Sequence, residues 1–222
     1  LVMGSGHLQT QYIAKAQPMK LASVEAIWET KNPAPFSIAA GIDTNKQENN
    51  WEIEVPYLLS LLVDDEPKGE VKGIHELQAS YQKQYGGGSY IPDVTGLFWS
   101  FRLMIALGLI MIFGLACALL AIWRDKLFKC PHLLKFLLFL LPLPYLSNSF
   151  GWYVTEAGRQ PWMVVGLQTV ASAVSPNITA AEVWLTMIGF TVIYLLLAIA
   201  AVYLAIRYIK KESALALEGG KH

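Results

Sequence analysis

The chain is poor in charge. Asp, Glu, Lys and Arg make up 15% of its 222 residues, where a soluble domain carries about a quarter. With 54% hydrophobic residues and a mean hydropathy of +0.39, the composition excludes both an ordinary soluble domain and disorder. Neither sign of charge is in excess, with 17 basic and 17 acidic residues, so no nucleic acid partner is expected. Cysteine is scarce. Cys117 and Cys130 make neither a disulfide framework nor a CxxC metal site, and Cys117, inside an apolar run, reads as a small core residue. The four histidines, His7, His75, His132 and His222, all fall outside the long apolar runs. The first residue is Leu and no signal peptide precedes the first polar stretch, so a piece of a longer chain is expected.

Long uncharged runs are what the sequence does have. Leu103–Trp123 (21 residues) and Val183–Ile206 (24 residues) contain no charge and no proline; Phe136–Thr155 (20 residues) is interrupted only by Pro142 and Pro144. A helix crosses a bilayer core with about 20 apolar residues. The expected fold is an all-α integral membrane protein with three transmembrane helices. They would form part of a larger helical bundle and follow an outward-facing N-terminal loop segment. Basic flanks set the orientation. The linker 124–135 holds Arg124, Lys126, Lys129 and Lys135 against one acid, and the tail from Arg207 holds four basic residues against two acids. Both are expected on the cytoplasmic side. The expected partition is an extracytoplasmic region 1–95, spans 96–123, 136–156 and 183–207, a cytoplasmic linker 124–135, an outer loop 157–182 and a cytoplasmic tail 208–222. Within 1–95, Pro18 followed by Leu21, Val24 and Trp28 predicts a short helix, and Tyr85-Gly-Gly-Gly-Ser-Tyr90 a flexible joint.

Ionisable and polar groups at membrane depth are costly and are therefore candidates for function. Arg102 stands where hydrocarbon begins; alone it reads equally as an interfacial anchor. Met104, Gly108 and Met111 share a helical face, which suits plain packing, or a thioether ligand to haem iron beside a glycine that admits a flat macrocycle. Tyr145, Asn148, Ser149, Trp152 and Glu156 form one polar stripe on the second span, which Pro142 and Pro144 should kink. Glu156 must be neutral, paired or metal-bound there, and Arg159 is its nearest cation in sequence.

Three separated motifs, in order, resemble subunit I of the cytochrome bd-type quinol oxidases. Lys20-Leu-Ala-Ser-Val-Glu25-Ala-Ile-Trp28-Glu29-Thr30 resembles its quinol-binding loop. Phe101-Arg102-Leu103-Met104 matches the start of its seventh span, and Glu156 with Gly158-Arg159-Gln160-Pro161-Trp162 is similar to its signature. The resemblance covers essentially the whole chain, as the C-terminal half of that subunit. It implies a respiratory quinol:dioxygen oxidoreductase in a bacterial or archaeal cytoplasmic membrane. Quinol would be oxidised at the outer face, and a proton gradient would form without pumping. It implies a low-spin haem b, a high-spin haem b and a haem d as cofactors. Met104 would ligate the low-spin haem b iron and Glu156 the high-spin haem b iron. Arg102 and Arg159 would hold haem carboxylates or stabilise reduced haems, and Trp152 would lie among the haems. Lys20 and Glu25 would bind and deprotonate quinol. Along an unbroken helix those two would point about 140° apart, so both reach one quinol only if the helix breaks or the segment wraps it. The implied partners are the missing N-terminal half, subunit II, a small single-helix subunit and membrane lipid. The competing reading is a non-catalytic scaffold half with no haem of its own.

Overall fold

The computed structural model describes residues 2–65 and 69–219. The end of the expected 208–222 tail, with His222, lies outside the described residues. Residues 1–173 form one unit and 174–222 a second.

In the first unit, α1 (Val2–Ala16) leads into α2 (Pro18–Val24), whose proline sits in the first turn, where no N–H is missed. An antiparallel hairpin follows, β1 (Phe36–Asp43) paired with β2 (Glu48–Val55), then α3 (Leu58–Asp64) and α4 (Ile74–Tyr85). The 30-residue α5 (Val94–Trp123) starts at Asp93, whose carboxylate accepts from the Gly96 amide at 3.1 Å. Next come α6 (Pro131–Leu140) and α7 (Leu143–Ala157), interrupted around Leu141–Pro142, where proline withholds a helical donor. A small hairpin, β3 (Trp162–Val164) with β4 (Gln168–Thr169), completes the unit. The second unit carries α8 (Ala180–Gly219). It opens on a reciprocal cap: Glu182 accepts from the Thr179 amide and hydroxyl, and the Thr179 hydroxyl accepts from the Glu182 amide. Among the described residues, three stretches are long and apolar enough to cross a membrane: Val94–Trp123, Pro131–Ala157 and Ala180–Lys211.

The molecule is mostly helical, but three local features differ from expectation. The segment 1–95, expected as an outward-facing loop region, contains the β1–β2 hairpin. The apolar–acidic alternation Trp51-Glu52-Ile53-Glu54-Val55 on β2 carries that signal, while β1 has none. The glycine run after Tyr85 is pinned rather than a free joint. The Gly88 carbonyl accepts from the Gln78 and Gln82 amides at 2.7 and 3.1 Å, and Tyr90 packs edge-on to Tyr81. His132, expected in the linker, lies in the first turn of α6 and within the candidate span 131–157.

The short α2 is the hub of the first unit. Met19 to Val24 are all buried, and its faces enter three separate clusters. Met19 and Ala22 pack with Trp28, Ile74 and Phe98; Leu21 with Ile27, Leu59 and Val71; Val24 with Leu97 and Val154. Each such large side chain contributes about 1.5–3 kcal/mol on burial. Seven residues are too few to hold a helix by propensity, so α2 depends on this packing.

Gly73 brings α4 onto the chain after α2. Ile74 and His75 donate their amides to the carbonyls of Ile27 and Trp28 at 2.9 and 3.1 Å, and a Cβ at position 73 would collide with the backbone of Trp28, Glu29 and Thr30. Gly73→Ala is expected to destabilise the unit by about 1–3 kcal/mol. Gly87→Ala, with open space around it, serves as the neutral control in thermal unfolding of the detergent-solubilised protein.

Candidate functional site

α2 ends at Val24, and Glu25 already has the backbone of a helix cap. No break separates Lys20 from Glu25: the helix continues to Val24, and Glu25 still donates its amide to the Leu21 carbonyl at 3.1 Å. Lys20 and Glu25 line one cavity of about 100 Å³, walled by Ile13, Leu21, Val24, Phe36, Leu59 and Phe101. Neither is a solvated loop charge: Lys20 is 8% exposed and Glu25 2%.

Glu25 is held by Arg102 of α5. Arg102 Nη2 donates to Glu25 Oε2 at 2.6 Å and to the Ser37 carbonyl at 2.6 Å; Nε donates to the same carbonyl at 3.0 Å, and Nη1 to the Val24 carbonyl at 2.5 Å. The guanidinium lies 3.9 Å from the Phe98 ring centroid. A register shift in the hairpin falls between Ser37 and Ala39, beside the carbonyl that Arg102 captures. Arg102 is thus buried and spent on the loop, not a cation reaching out to the interface. Burial holds the Glu25 carboxyl above its usual range, with the Arg102 charge pulling it down.

Lys20 belongs to a second charged group. Its ammonium donates to the Thr155 carbonyl of α7 at 3.3 Å, and its stem passes beside Gly158, where a Cβ would lie 3.0 Å from Lys20 Cγ and Cε. Burial lowers the Lys20 pKa, as does Arg159, while Glu156 opposes the shift. Arg159 and Glu156 form the ion pair expected from their spacing, at 2.5 Å. Trp162 is buried and stacked on Tyr90, with centroids 5.3 Å apart. The sequence offered no signal for this partner 72 residues upstream, nor for Ser37 as a partner of Arg102.

The candidate haem residues divide differently. Met104 is half-buried in the α5–α7 contact, its sulfur against Gly151, where a Cβ would lie 3.0 Å away. One turn on, the space around Gly108 is open. Trp152 is 67% exposed on the polar face of α7, together with Tyr145 and Asn148. Among the described residues no three His, Cys, Asp or Glu cluster as a metal site. A thioether and a carboxylate are each competent as one axial ligand of haem iron. The donor set therefore fits one side of a haem site rather than a whole one.

The sequence matches the profile of the cytochrome bd terminal oxidase subunit I family over residues 1–213. The chain belongs to this family. It is 45% identical over 211 residues to the cytochrome bd ubiquinol oxidase subunit 1 of Bacillus subtilis (strain 168), covering 93% of this chain and 44% of that one. To the cytochrome bd-II ubiquinol oxidase subunit 1 of Escherichia coli (strain K12) it is 28% identical, covering 88% and 49%. Its fold superposes on the bd oxidase structure from Geobacillus thermodenitrificans with a TM-score of 0.75 at 27% identity, covering 93% of this chain and 45% of that one. The chain thus spans under half the length of these relatives. Haem-dependent, membrane-bound electron transport is a property of the family to which it belongs.

Removing Arg102 leaves Glu25 buried without its counter-ion. Arg102→Gln is expected to cost about 3–5 kcal/mol. Adding Glu25→Gln should recover part of that loss. Thermal unfolding of the two single variants and the double variant measures the coupling.

Proposed function

We propose that this chain forms the quinol-side half of subunit I of a quinol:dioxygen oxidoreductase, and that the cavity between Lys20 and Glu25 receives the quinol ring. The observation that carries this reading is two buried, oppositely charged side chains on one apolar cavity, each compensated from a different helix. The apolar walls exclude water and take the ring. The Lys20 ammonium donates a hydrogen bond to a quinol oxygen. Glu25 accepts the proton of a quinol hydroxyl as electrons leave, and Arg102 holds its carboxylate in place. Facing the outer side, as the charge distribution predicts, the site releases quinol protons there. Protons for dioxygen reduction are drawn from inside, so a gradient forms without a pump.

Haem, when bound, supplies the one-electron carriers that a two-electron donor and dioxygen both need. Low-spin haem b would be held by Met104, high-spin haem b by Glu156, with Arg159 and Trp152 beside it; a haem d completes the set. Arg102 carries the more demanding role toward the loop. The exposed polar face of α7, Tyr145, Asn148 and Trp152, supports coverage by the N-terminal half of the subunit and its cofactors, because polar groups at membrane depth need partners. Subunit II and a small single-helix subunit complete the assembly, embedded in lipid.

Glu25→Gln in the assembled complex should lower quinol oxidation at least tenfold while oxygen reduction from an artificial one-electron donor changes less than twofold. Equal loss of both would sink the assignment. A general base works as the carboxylate, and burial raises the Glu25 pKa. In the wild type, kcat/KM for quinol should therefore fall as pH drops through a value above the ordinary carboxylate range of about 4.3. That limb should vanish in the variant. Met104→Leu should remove the low-spin b band from the dithionite-reduced minus air-oxidised spectrum and leave the chlorin band. An unchanged low-spin signal would overturn the ligand assignment, and a folded complex with no haem would favour the scaffold reading.

A further inference from the structure

Lys20 also lines a second, smaller cavity, which it shares with Gln17, Tyr90, Arg159 and Trp162. Among the described residues, two buried side-chain polar atoms have no hydrogen-bond partner: Gln17 Oε1 and Trp162 Nε1. Both belong to residues that line this one cavity. The two atoms are complementary to a third group and not alike, since the indole N–H can only donate and the amide oxygen can only accept. A buried orphan of either kind costs about 1–3 kcal/mol. Two such costs at one small cavity are relieved together by one group that both accepts and donates. The cavity has about 10 Å³ of room, close to what a single water needs when it has two or more polar partners.

We propose that this cavity is a site for one bound water. It accepts from Trp162 Nε1 and donates to Gln17 Oε1. It also accepts from Lys20, whose ammonium carries three N–H groups and makes one long bond, to Thr155 at 3.3 Å. The water then acts as a fixed stop that keeps the Lys20 ammonium at the quinol cavity, and Trp162 and Gln17 are positioning residues acting through it. Trp162 is itself fixed: it stacks on Tyr90 at 15° between planes and meets Tyr85 edge-on at 4.9 Å. The tryptophan of the Gly158–Trp162 turn thereby gains a task that stacking alone does not require. This inference rests on the reading of Lys20 as the quinol hydrogen-bond donor.

Two measurements on the assembled, haem-loaded complex test it. In a density map of the quinol-free complex fine enough to show waters, one oxygen should lie within about 3.2 Å of both Trp162 Nε1 and Gln17 Oε1. No density there, density only when quinol is bound, or a direct Trp162–Gln17 bond overturns the proposal. In kinetics, Trp162→Phe keeps the ring stack and removes the donor, and Gln17→Leu removes the acceptor. Each should raise the quinol KM about fivefold, the scale of one hydrogen bond, with a smaller change in kcat and a normal reduced-haem spectrum. Because both act through one water, the double variant should be no worse than either single variant. Additive effects or an unchanged KM would reject the water site. Should Trp162→Phe lose its haem, Gln17→Leu decides alone. Lys20→Met separates the two readings. If it too leaves KM unchanged, the quinol assignment fails; if it alone raises KM, only the water site does.

Discussion

The segment between α2 and α5 is organised by one buried cation. Arg102 ties the end of α2, the start of β1 and the carboxylate of Glu25 to α5 through four hydrogen bonds. A guanidinium is suited to this because its planar fork offers several fixed donors and it stays protonated even when desolvated. Lysine could supply the charge and three donors, but not four hydrogen bonds from one rigid plane. The arrangement is costly by itself, since a buried ion pair gains little over an apolar replacement. Its value lies in fixing geometry: a seven-residue helix and a bulged hairpin, neither stable alone, are registered on a long apolar helix two residues before Met104.

The helices were legible because their signal is local. Length without charge marks α5 and α8, and Pro142 and Pro144 mark the break between α6 and α7. The ion pair of Glu156 with Arg159 is likewise visible as a three-residue spacing. The segment before α5 was less legible. Its β1 strand, Phe36-Ser-Ile-Ala-Ala-Gly-Ile-Asp43, has no alternation and pairs through two register shifts, so periodicity reads it as loop. The glycines after Tyr85 looked like a free joint because glycine reports only the backbone's freedom. The carbonyls that tether Gly86 and Gly88 are bonded by Tyr90, Gln78 and Gln82.

The candidate site divides in the same way. Arg102 and Glu156 stand out in sequence because charge at membrane depth demands a reason, and Lys20 and Glu25 only because their segment resembles the family's quinol loop. Their pairing does not, since Arg102 meets Glu25 across 77 residues and Lys20 meets Thr155 across 135. The resemblance implied one shared role for the two arginines, holding haem carboxylates or stabilising reduced haems. The structure places them differently, one buried under the loop and one partly exposed in the turn after α7, beside Glu156. Gln17 and Trp162 are harder still to find, because an unsatisfied atom has no signature until the fold has removed its water.

Lys20 and Glu25 are not each other's counter-ions, and this bears on how the cavity could work. Were they paired, a ligand entering between them would have to break an ion pair and leave both charges stranded, at several kcal/mol. Instead α5 compensates Glu25 through Arg102, while α7 compensates Lys20 through the Thr155 carbonyl and the charge of Glu156. The two charges can face one apolar cavity with their own solvation intact. On the proposed reading, a neutral quinol would enter without dismantling either arrangement and would find a donor and an acceptor already oriented, the condition for electrostatic preorganisation. On the same reading, a proton given to Glu25 would weaken its bonds to Arg102 and to the Ser37 backbone, while the Arg102 bonds to the Val24 and Ser37 carbonyls would keep the loop on the helix of Met104.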